Sequence, residues 1–366
     1  MKVLVLNRGS SSVKCCLYDL SGLSCKSVNP IWEDKIEWKN VWDKGSIQKE
    51  LKSRLAGKKI DCIGHRIVHG GKKYQTSVLI DGDVKNEIRR LSDLAPLHNL
   101  ADLEGIEILE QLFPKIPQVA VFDTAFHRTI PLSASVYPGP YEWVEEGIQR
   151  YGFHGISFQY CTRRAGSLLG KIPSKMVICH LGSGASLCAV KDGKSIDTTM
   201  GFTPLEGLMM DTRSGTVDPG ILLYLLKKKT PEQLSKELYE NSGLLGLSGV
   251  SSDMRDVLEK AKGGNKQASL AIDVYIHRLV SCIGSMVATL GGIDVLIFTA
   301  GIGENSSLIR ERVCSNLSFL GVFLSKTPNS TAEDGELSPA DAKVKILLIH
   351  TQEGFEIARE CLQRMN

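Results

Sequence analysis

The sequence predicts an α/β protein built from two related halves. Three observations carry that reading: the length, an alternation of short apolar runs with amphipathic stretches, and an internal duplication at an offset of 173 residues. A chain of 366 residues exceeds what one compact core ordinarily holds, so roughly two domains are expected. With 42% hydrophobic and 23% charged residues, the composition is that of a folding globular chain and excludes a disordered or fibrous one. Lys plus Arg (44) against Asp plus Glu (41) leaves a formal charge of +3, too weak a field to make nucleic acid or an anionic membrane the partner. Any phosphate-binding charge must be local.

The duplication lays Leu-Asn-Arg-Gly-Ser at 6–10 over Cys-His-Leu-Gly-Ser at 179–183 and continues to Asp19 and Asp192, matching Gly9 with Gly182, Ser10 with Ser183 and Cys15 with Cys188. Each copy has an apolar run (3–6 and 176–179), a Gly/Ser turn and a second β-leaning run, the pattern of a hairpin that opens a domain. Further strands are expected at 60–63, 119–122, 294–299 and 345–349, and helices at 84–94, 100–112, 157–169, 231–241, 268–290, 306–317 and 355–363. The stretch 327–343, rich in Pro, Ser, Asp and Glu, reads as a surface connection. The longest apolar region, 279–303, is interrupted by Ser281, Ser285, Gly291, Gly292 and Asp294, and reads as a buried helix and strand, not a membrane span. No long linker separates the halves, which are expected to face each other across a cleft. The ten cysteines are irregularly spaced and form no CxxC pair, so they read as small apolar residues in a reducing compartment. With only four apolar residues before Asn7 there is no signal-peptide pattern, and a cytoplasmic protein is expected.

Three Gly-rich turns are candidates for chemistry. Asn-Arg-Gly-Ser-Ser-Ser-Val-Lys at 7–14 offers backbone N–H groups, hydroxyls including Ser12 and the Lys14 ammonium within one concavity, although an ordinary hairpin turn accounts for it equally well. Its second copy, His180-Leu-Gly-Ser-Gly-Ala-Ser, suggests two clamps on a polyphosphate. The third, Thr299-Ala-Gly-Ile-Gly-Glu-Asn-Ser, follows a buried strand and opens a helix, where backbone can approach a nucleotide. It is not a Rossmann fingerprint, and no Walker sequence occurs in the chain.

These motifs, with others in order along the chain, resemble the acetate kinase family of the acetate and sugar kinase, Hsp70 and actin superfamily. The others are His-Arg-Ile-Val-His-Gly-Gly at 65–71, Leu-Ala-Pro-Leu-His-Asn at 94–99, Val-Phe-Asp-Thr-Ala-Phe-His at 121–127 and Tyr-Gly-Phe-His-Gly at 151–155. Met-Gly-Phe-Thr-Pro-Leu-Glu-Gly-Leu-Met-Met at 200–210 and Thr-Arg-Ser-Gly at 212–215 complete the set. The resemblance runs essentially from end to end. It implies two duplicated ribonuclease H-like (actin-like ATPase) domains around a central cleft, one formed by 1–123 plus 355–366 and the other by 124–354. It also implies a homodimer, Mg2+ with Mn2+ as a substitute, and reversible phosphoryl transfer between ATP and acetate giving acetyl phosphate and ADP.

Acetate is already a nucleophile, so positioning and charge neutralisation are what the protein must supply. The resemblance assigns Arg66 and Arg213 to clamping acetate and the phosphoryl oxygens, a task suited to planar guanidinium groups. It assigns His154 to stabilising the transferring group and Asp123 to organising acetate or Mg2+. Asn7 and Glu353 would place the metal through oxygen ligands and waters. His180, Gly182, Ser183 and Gly184 fall on the second phosphate loop, and Asp253, Met254, Arg255, Gly301, Ile302, Gly303 and Asn305 on the adenosine motifs. Val68, Leu97, Phe153 and Pro204 stand at the small apolar acyl pocket, where Val68 favours acetate and propionate is expected as a poorer substrate.

Some positions depart from the family pattern: Arg8, Ile156, Phe158, Ser183, Asp211 and Gly354. Asp211 stands two residues before Arg213 and is expected to pair with it and to repel a γ-phosphate. Two alternatives stand beside the acetate kinase reading. One is a propionate, butyrate or pyrophosphate-dependent carboxylate kinase; the other is a catalytically weak actin-like nucleotide-binding protein.

Overall fold

The computed structural model describes residues 1–8, 12–21, 29–37, 44–93, 99–325 and 333–366, without the side chains of Arg8, Ser12, Ile36, Glu37, Lys44 and Asp93. Leu97, Gly9 and Ser10 lie outside the described residues, as does the start of the 327–343 connection. Two compact units divide the chain. Unit 1 comprises Met1–Arg128, Phe153–Tyr160 and Gln352–Asn366; unit 2 comprises Thr129–Gly152 and Cys161–Thr351.

The sheet of unit 1 contains β1 (Lys2–Arg8), β2 (Ser12–Asp19), β3 (Trp32–Glu37), β4 (Cys62–Ile67), β5 (Val78–Leu79) and β6 (Gln118–Phe122), in the order β3-β2-β1-β4-β6-β5. Strands β1, β4 and β6 run parallel, whereas β2, β3 and β5 pair antiparallel to their neighbours. Unit 2 contains β7 (Lys175–Leu181), β8 (Ala185–Lys191), β9 (Lys194–Thr198), β10 (Val295–Thr299), β11 (Gly335–Glu336) and β12 (Lys345–Leu348), in the order β11-β12-β10-β7-β8-β9. Read from its other edge, this is the same arrangement, with β7, β10 and β12 parallel. The expected duplicated ribonuclease H-like fold is therefore present in both units.

Strands β1 and β7 open at Lys2 and Lys175, the offset of the sequence repeat. The two hairpins nevertheless close differently. The last pair of the first is Arg8 with Val13, leaving four connecting residues, and that of the second is Leu181 with Ala185, leaving three. Strand β4 extends beyond the apolar run at 60–63, because β1 and β6 hydrogen-bond it on both sides through the polar His65 and Arg66. Its polar end thereby becomes part of the sheet.

One side of the first sheet buries Leu4, Leu6 and Ile63 against Leu51 and Leu55 of the helix Lys44–Leu55 and Ile108 and Leu109 of the helix Asn99–Leu112. A second cluster joins Ile67 and Phe122 to Val84 and Ile88, with the Tyr74 ring stacked on Phe122 at 5.2 Å. The terminal helix, Glu353–Met365, packs on β1, β4 and β6. It approaches β4 so closely that a Cβ at Gly64 would lie 2.6 Å from the Cys361 sulfur and 2.7 Å from Ile357, so only glycine fits there.

In unit 2 the helix Lys266–Leu290 has the length and hydropathy of a membrane span, yet it packs on β7 and β8 with Tyr275, Leu279, Ile283 and Met286 buried. Gly291 ends it in the left-handed conformation, and the wholly buried β10 follows, as the interrupted apolar run suggested. Of the described cysteines only Cys282 is not fully buried. The short helices Pro219–Leu225 and Gly243–Ser248 have no counterpart in the sequence reading.

Candidate active site

In unit 1 four polar side chains converge on the carboxyl-terminal ends of the parallel strands, where α/β sheets place their ligands. Asn7 comes from β1, Arg66 from β4, Asp123 from just beyond β6, and Glu353 from the first turn of the terminal helix. Arg66 Nε and Nη2 both donate to Asp123 Oδ2, at 3.0 and 2.6 Å. Arg66 Nη1 lies 3.4 Å from Asn7 Oδ1, and Asn7 Nδ2 donates to Glu353 Oε2 at 3.0 Å. Asp123 is 1% exposed, and its second oxygen, Oδ1, is buried with no hydrogen-bond partner among the described residues.

An orphaned buried carboxylate oxygen is costly unless a bound water or other group satisfies it. Burial pushes the Asp123 carboxyl above the usual carboxylate range, with Arg66 opposing the shift and Glu353 adding to it. Burial also works against the Arg66 charge, but the Asp123 and Glu353 carboxylates more than offset it and hold the guanidinium above its ordinary value.

His154 is one of three non-glycine residues at positive φ (57°) among the described residues, and it immediately precedes the helix Gly155–Leu169. Such a conformation persists only where its surroundings enforce it, and two contacts do so. Gly155 N–H donates to the Asp123 backbone carbonyl at 2.8 Å, and His127 Nε2 donates to the Phe153 carbonyl at 3.0 Å. Phe153 is buried edge-on to the His69 ring, and Val68, also buried, donates its N–H to Asp102 at 3.2 Å. Ile156 and Phe158 are core residues of the same turn. Lys14 lies in the body of β2 with its ammonium 3.1 Å from Glu33.

Unit 2 has a cavity of about 530 Å³ lined by Gly182, Ser183, Asp211, Ser252, Asp253, Met254, Arg255, Leu258, Gly301, Ile302, Asn305 and Ser306. The expected residues Gly182, Ser183, Asp253, Met254, Arg255, Gly301, Ile302 and Asn305 thus line one cavity, while His180, Gly184 and Gly303 do not line it. Asp211, Ser252, Leu258 and Ser306 line it without having been assigned to nucleotide binding. Asp253 caps the helix Met254–Lys262 by accepting from Arg255 N–H at 2.8 Å, and the Arg255 guanidinium holds its carboxyl down at about 2.

The Gly-rich segment after β10 is itself a helix, Ala300–Asn305, rather than a turn before one; a second helix, Ser307–Asn316, follows. Ala300, at φ 65°, is held by Glu304 Oε1, which accepts its N–H at 2.7 Å and that of Thr351 at 3.1 Å. The fully buried Arg310 donates to the carbonyls of Gly303 and Glu304 at 2.7 and 2.9 Å, so the helix is fixed at both ends. Neither bracing role is visible in the sequence, since nothing in Gly-Ile-Gly-Glu reveals a helix that must be braced.

Arg213 departs from its expected pairing. Its Nη1 donates to the Pro204 carbonyl at 3.1 Å and meets Met210 Sδ at 3.8 Å, while the Asp211 carboxylate accepts from Thr212 N–H at 2.8 Å and from the Ser183 hydroxyl. The intervening backbone turns the two side chains to different partners, so the ion pair does not form. Burial lowers the Arg213 pKa and raises that of Asp211.

A doubled ribonuclease H-like fold, with a carboxylate–guanidinium cluster at the strand ends of one unit and a nucleotide-sized cavity in the other, defines a phosphotransferase of the actin-like class. The chain belongs to the acetokinase family, whose model matches residues 45–359. It is 49% identical to the acetate kinase of Rippkaea orientalis, with 100% of both chains covered, and 51% identical to that of Microcystis aeruginosa, with 99% of both covered. Among solved structures it is similar to Porphyromonas gingivalis acetate kinase (TM-score 0.89, 37% identity, all of both chains covered). A propionate kinase from Francisella tularensis is equally similar in structure (TM-score 0.89, 38% identity, 99% of both chains covered).

Proposed function

We propose that the protein catalyses reversible transfer of the ATP γ-phosphoryl group to acetate, giving acetyl phosphate and ADP. The observation that carries this reading is the Arg66–Asp123 pair at the strand ends, with Asp123 Oδ1 buried and unsatisfied. Arg66 orients the acetate carboxylate, which attacks the γ-phosphorus without prior deprotonation, so no general base is needed. Arg213 supplies positive charge to the equatorial phosphoryl oxygens, and His154, locked by its backbone, donates a hydrogen bond that strengthens as charge develops. The cavity of unit 2 takes the nucleoside.

The residues also fit Mg2+. Asp123 Oδ1, Asn7 Oδ1 and Glu353 are oxygen donors, and no set of three His, Cys, Asp or Glu close enough to cage an ion by itself occurs among the described residues. That is the donor set of an ion that keeps its waters and phosphate ligands. Bound there, Mg2+ or Mn2+ would neutralise charge on the nucleotide phosphates.

The buried thiols support a reducing, cytoplasmic setting. The helix Pro219–Leu225, which buries none of its residues and exposes Ile221, Leu223 and Tyr224, supports a homodimer, and light scattering on the purified protein tests this. Trapping acyl phosphate with hydroxylamine, in the presence of ATP, Mg2+ and acetate, propionate or butyrate, tests the activity. Acetate is expected to give the highest kcat/KM, and no product from any of the three rejects the reading. Faster turnover of propionate would favour the second reading, which rests on the similarity to the Francisella protein.

A further inference from the structure

Asp211 lines the cavity of unit 2 beside Ser183 of the hairpin turn, and its backbone N–H donates to the Ser183 carbonyl at 3.4 Å. Among the described residues no cation lies within 4.0 Å of its carboxylate. The nearest candidate, Arg213, is turned to Pro204, and Arg255 on the facing helix is taken up by Asp253 at 2.5 Å. From the helix Lys266–Leu290 the buried Tyr275 phenol interacts with Asp211, and it is neutral. The Ser183 hydroxyl, which could otherwise donate to a phosphate, is spent on the carboxylate. A half-buried carboxylate that feels the Arg213 charge only at a distance, and forms no ion pair, therefore lines the cavity beside the Gly182–Ser183 turn.

We propose that Asp211 makes this cavity discriminate between nucleotides by the charge on their phosphates, disfavouring metal-free di- and triphosphates and leaving the metal-complexed nucleotide as the form that binds tightly. This rests on the nucleotide reading of the cavity. Repulsion grows with ligand charge and is weakly screened at a partly buried position. Adenosine carries no phosphate charge and should not sense Asp211. Metal-free ADP should sense it strongly, and ADP with Mg2+ much less.

Calorimetric titration of the full-length protein and of Asp211→Asn with adenosine, with ADP in EDTA and with ADP in excess Mg2+ tests the proposal. The variant keeps the side-chain shape, and it should bind metal-free ADP at least about fivefold more tightly than the parent, with adenosine unchanged and ADP with Mg2+ shifted by less than about twofold. Asp211→Gly should shift metal-free ADP in the same direction, which covers a folding defect in the first variant. An equal change for adenosine and metal-free ADP, or no tightening in a folded variant, overturns the proposal. If neither adenosine nor ADP binds the parent protein, the nucleotide reading itself falls, a different result from either.

Discussion

The backbone N–H of Gly155 donates to the backbone carbonyl of Asp123 at 2.8 Å, so the residue that holds Arg66 also anchors the turn that presents His154. A Cβ on residue 155 would lie 2.1 Å from that carbonyl oxygen. Two motifs whose contacting residues, Asp123 and Gly155, stand 32 positions apart therefore meet through backbone rather than side chains.

Gly155→Ala is expected to lower stability by about 1–3 kcal/mol through overpacking and kcat by at least about tenfold through displacement of His154. Helix propensity alone would favour alanine by up to about 1 kcal/mol, so the sign of the change in denaturant unfolding separates the two effects. A more stable, fully active variant would show that the contact is not restrictive.

Arg66→Ala should abolish activity and leave the Asp123 carboxyl buried without its partner, at a cost of about 3 kcal/mol at pH 8. A carboxyl whose folded pKa is raised adds stability below its unfolded pKa and loses it as pH rises through the folded one. The deficit of the variant should therefore be smaller at pH 5 than at pH 8. Equal deficits in urea unfolding at the two pH values would show that Asp123 is not the group left stranded.

His65 is 3% exposed, with Nε2 donating to Gln118 Oε1 at 2.6 Å, and burial pushes its pKa down from 6.5 to about 4. The unfolded chain takes up a proton that the folded protein refuses, so stability present at pH 7 is lost as pH falls from about 6.5 to about 4, by up to about 3 kcal/mol. His65→Asn should be less stable at pH 7 but have a flatter pH profile over that window. An unchanged slope would assign the acid sensitivity elsewhere.

Arg213→Ala is expected to lower kcat at least about a hundredfold with little change in adenosine affinity, because Arg213 does not line the cavity. Arg213→Lys should recover only part of the rate, since an ammonium keeps the charge but not the planar fork. Single-turnover rates and binding measured on the same preparations separate the two quantities.

The duplicated hairpins were legible because their signals are local: apolar runs at matching offsets around Gly/Ser turns. The positions of Asp123 and Arg66 were legible through motif resemblance, and Asp123 also through its place at the end of an apolar run. What escaped depends on non-local pairing. His65 and Arg66 interrupt the apolar pattern, and only hydrogen bonds from both neighbouring strands make them part of β4. The helix Ala300–Asn305 contradicts the propensity of Gly-Ile-Gly and exists because Glu304 and Arg310 brace it. The partners of Asp211 could not be read either, since sequence proximity to Arg213 pointed to an ion pair that backbone direction prevents.

The terminal helix, whose first residue is Glu353, seats on β1 and β4 through the space left at Gly64. On the ribosome this inverts the order of completion. The opening residues of unit 1 emerge first yet must wait, with a sheet face uncovered, until the whole of unit 2 has been made. Glu353, the residue proposed to help hold the metal, arrives on the same segment that closes the core.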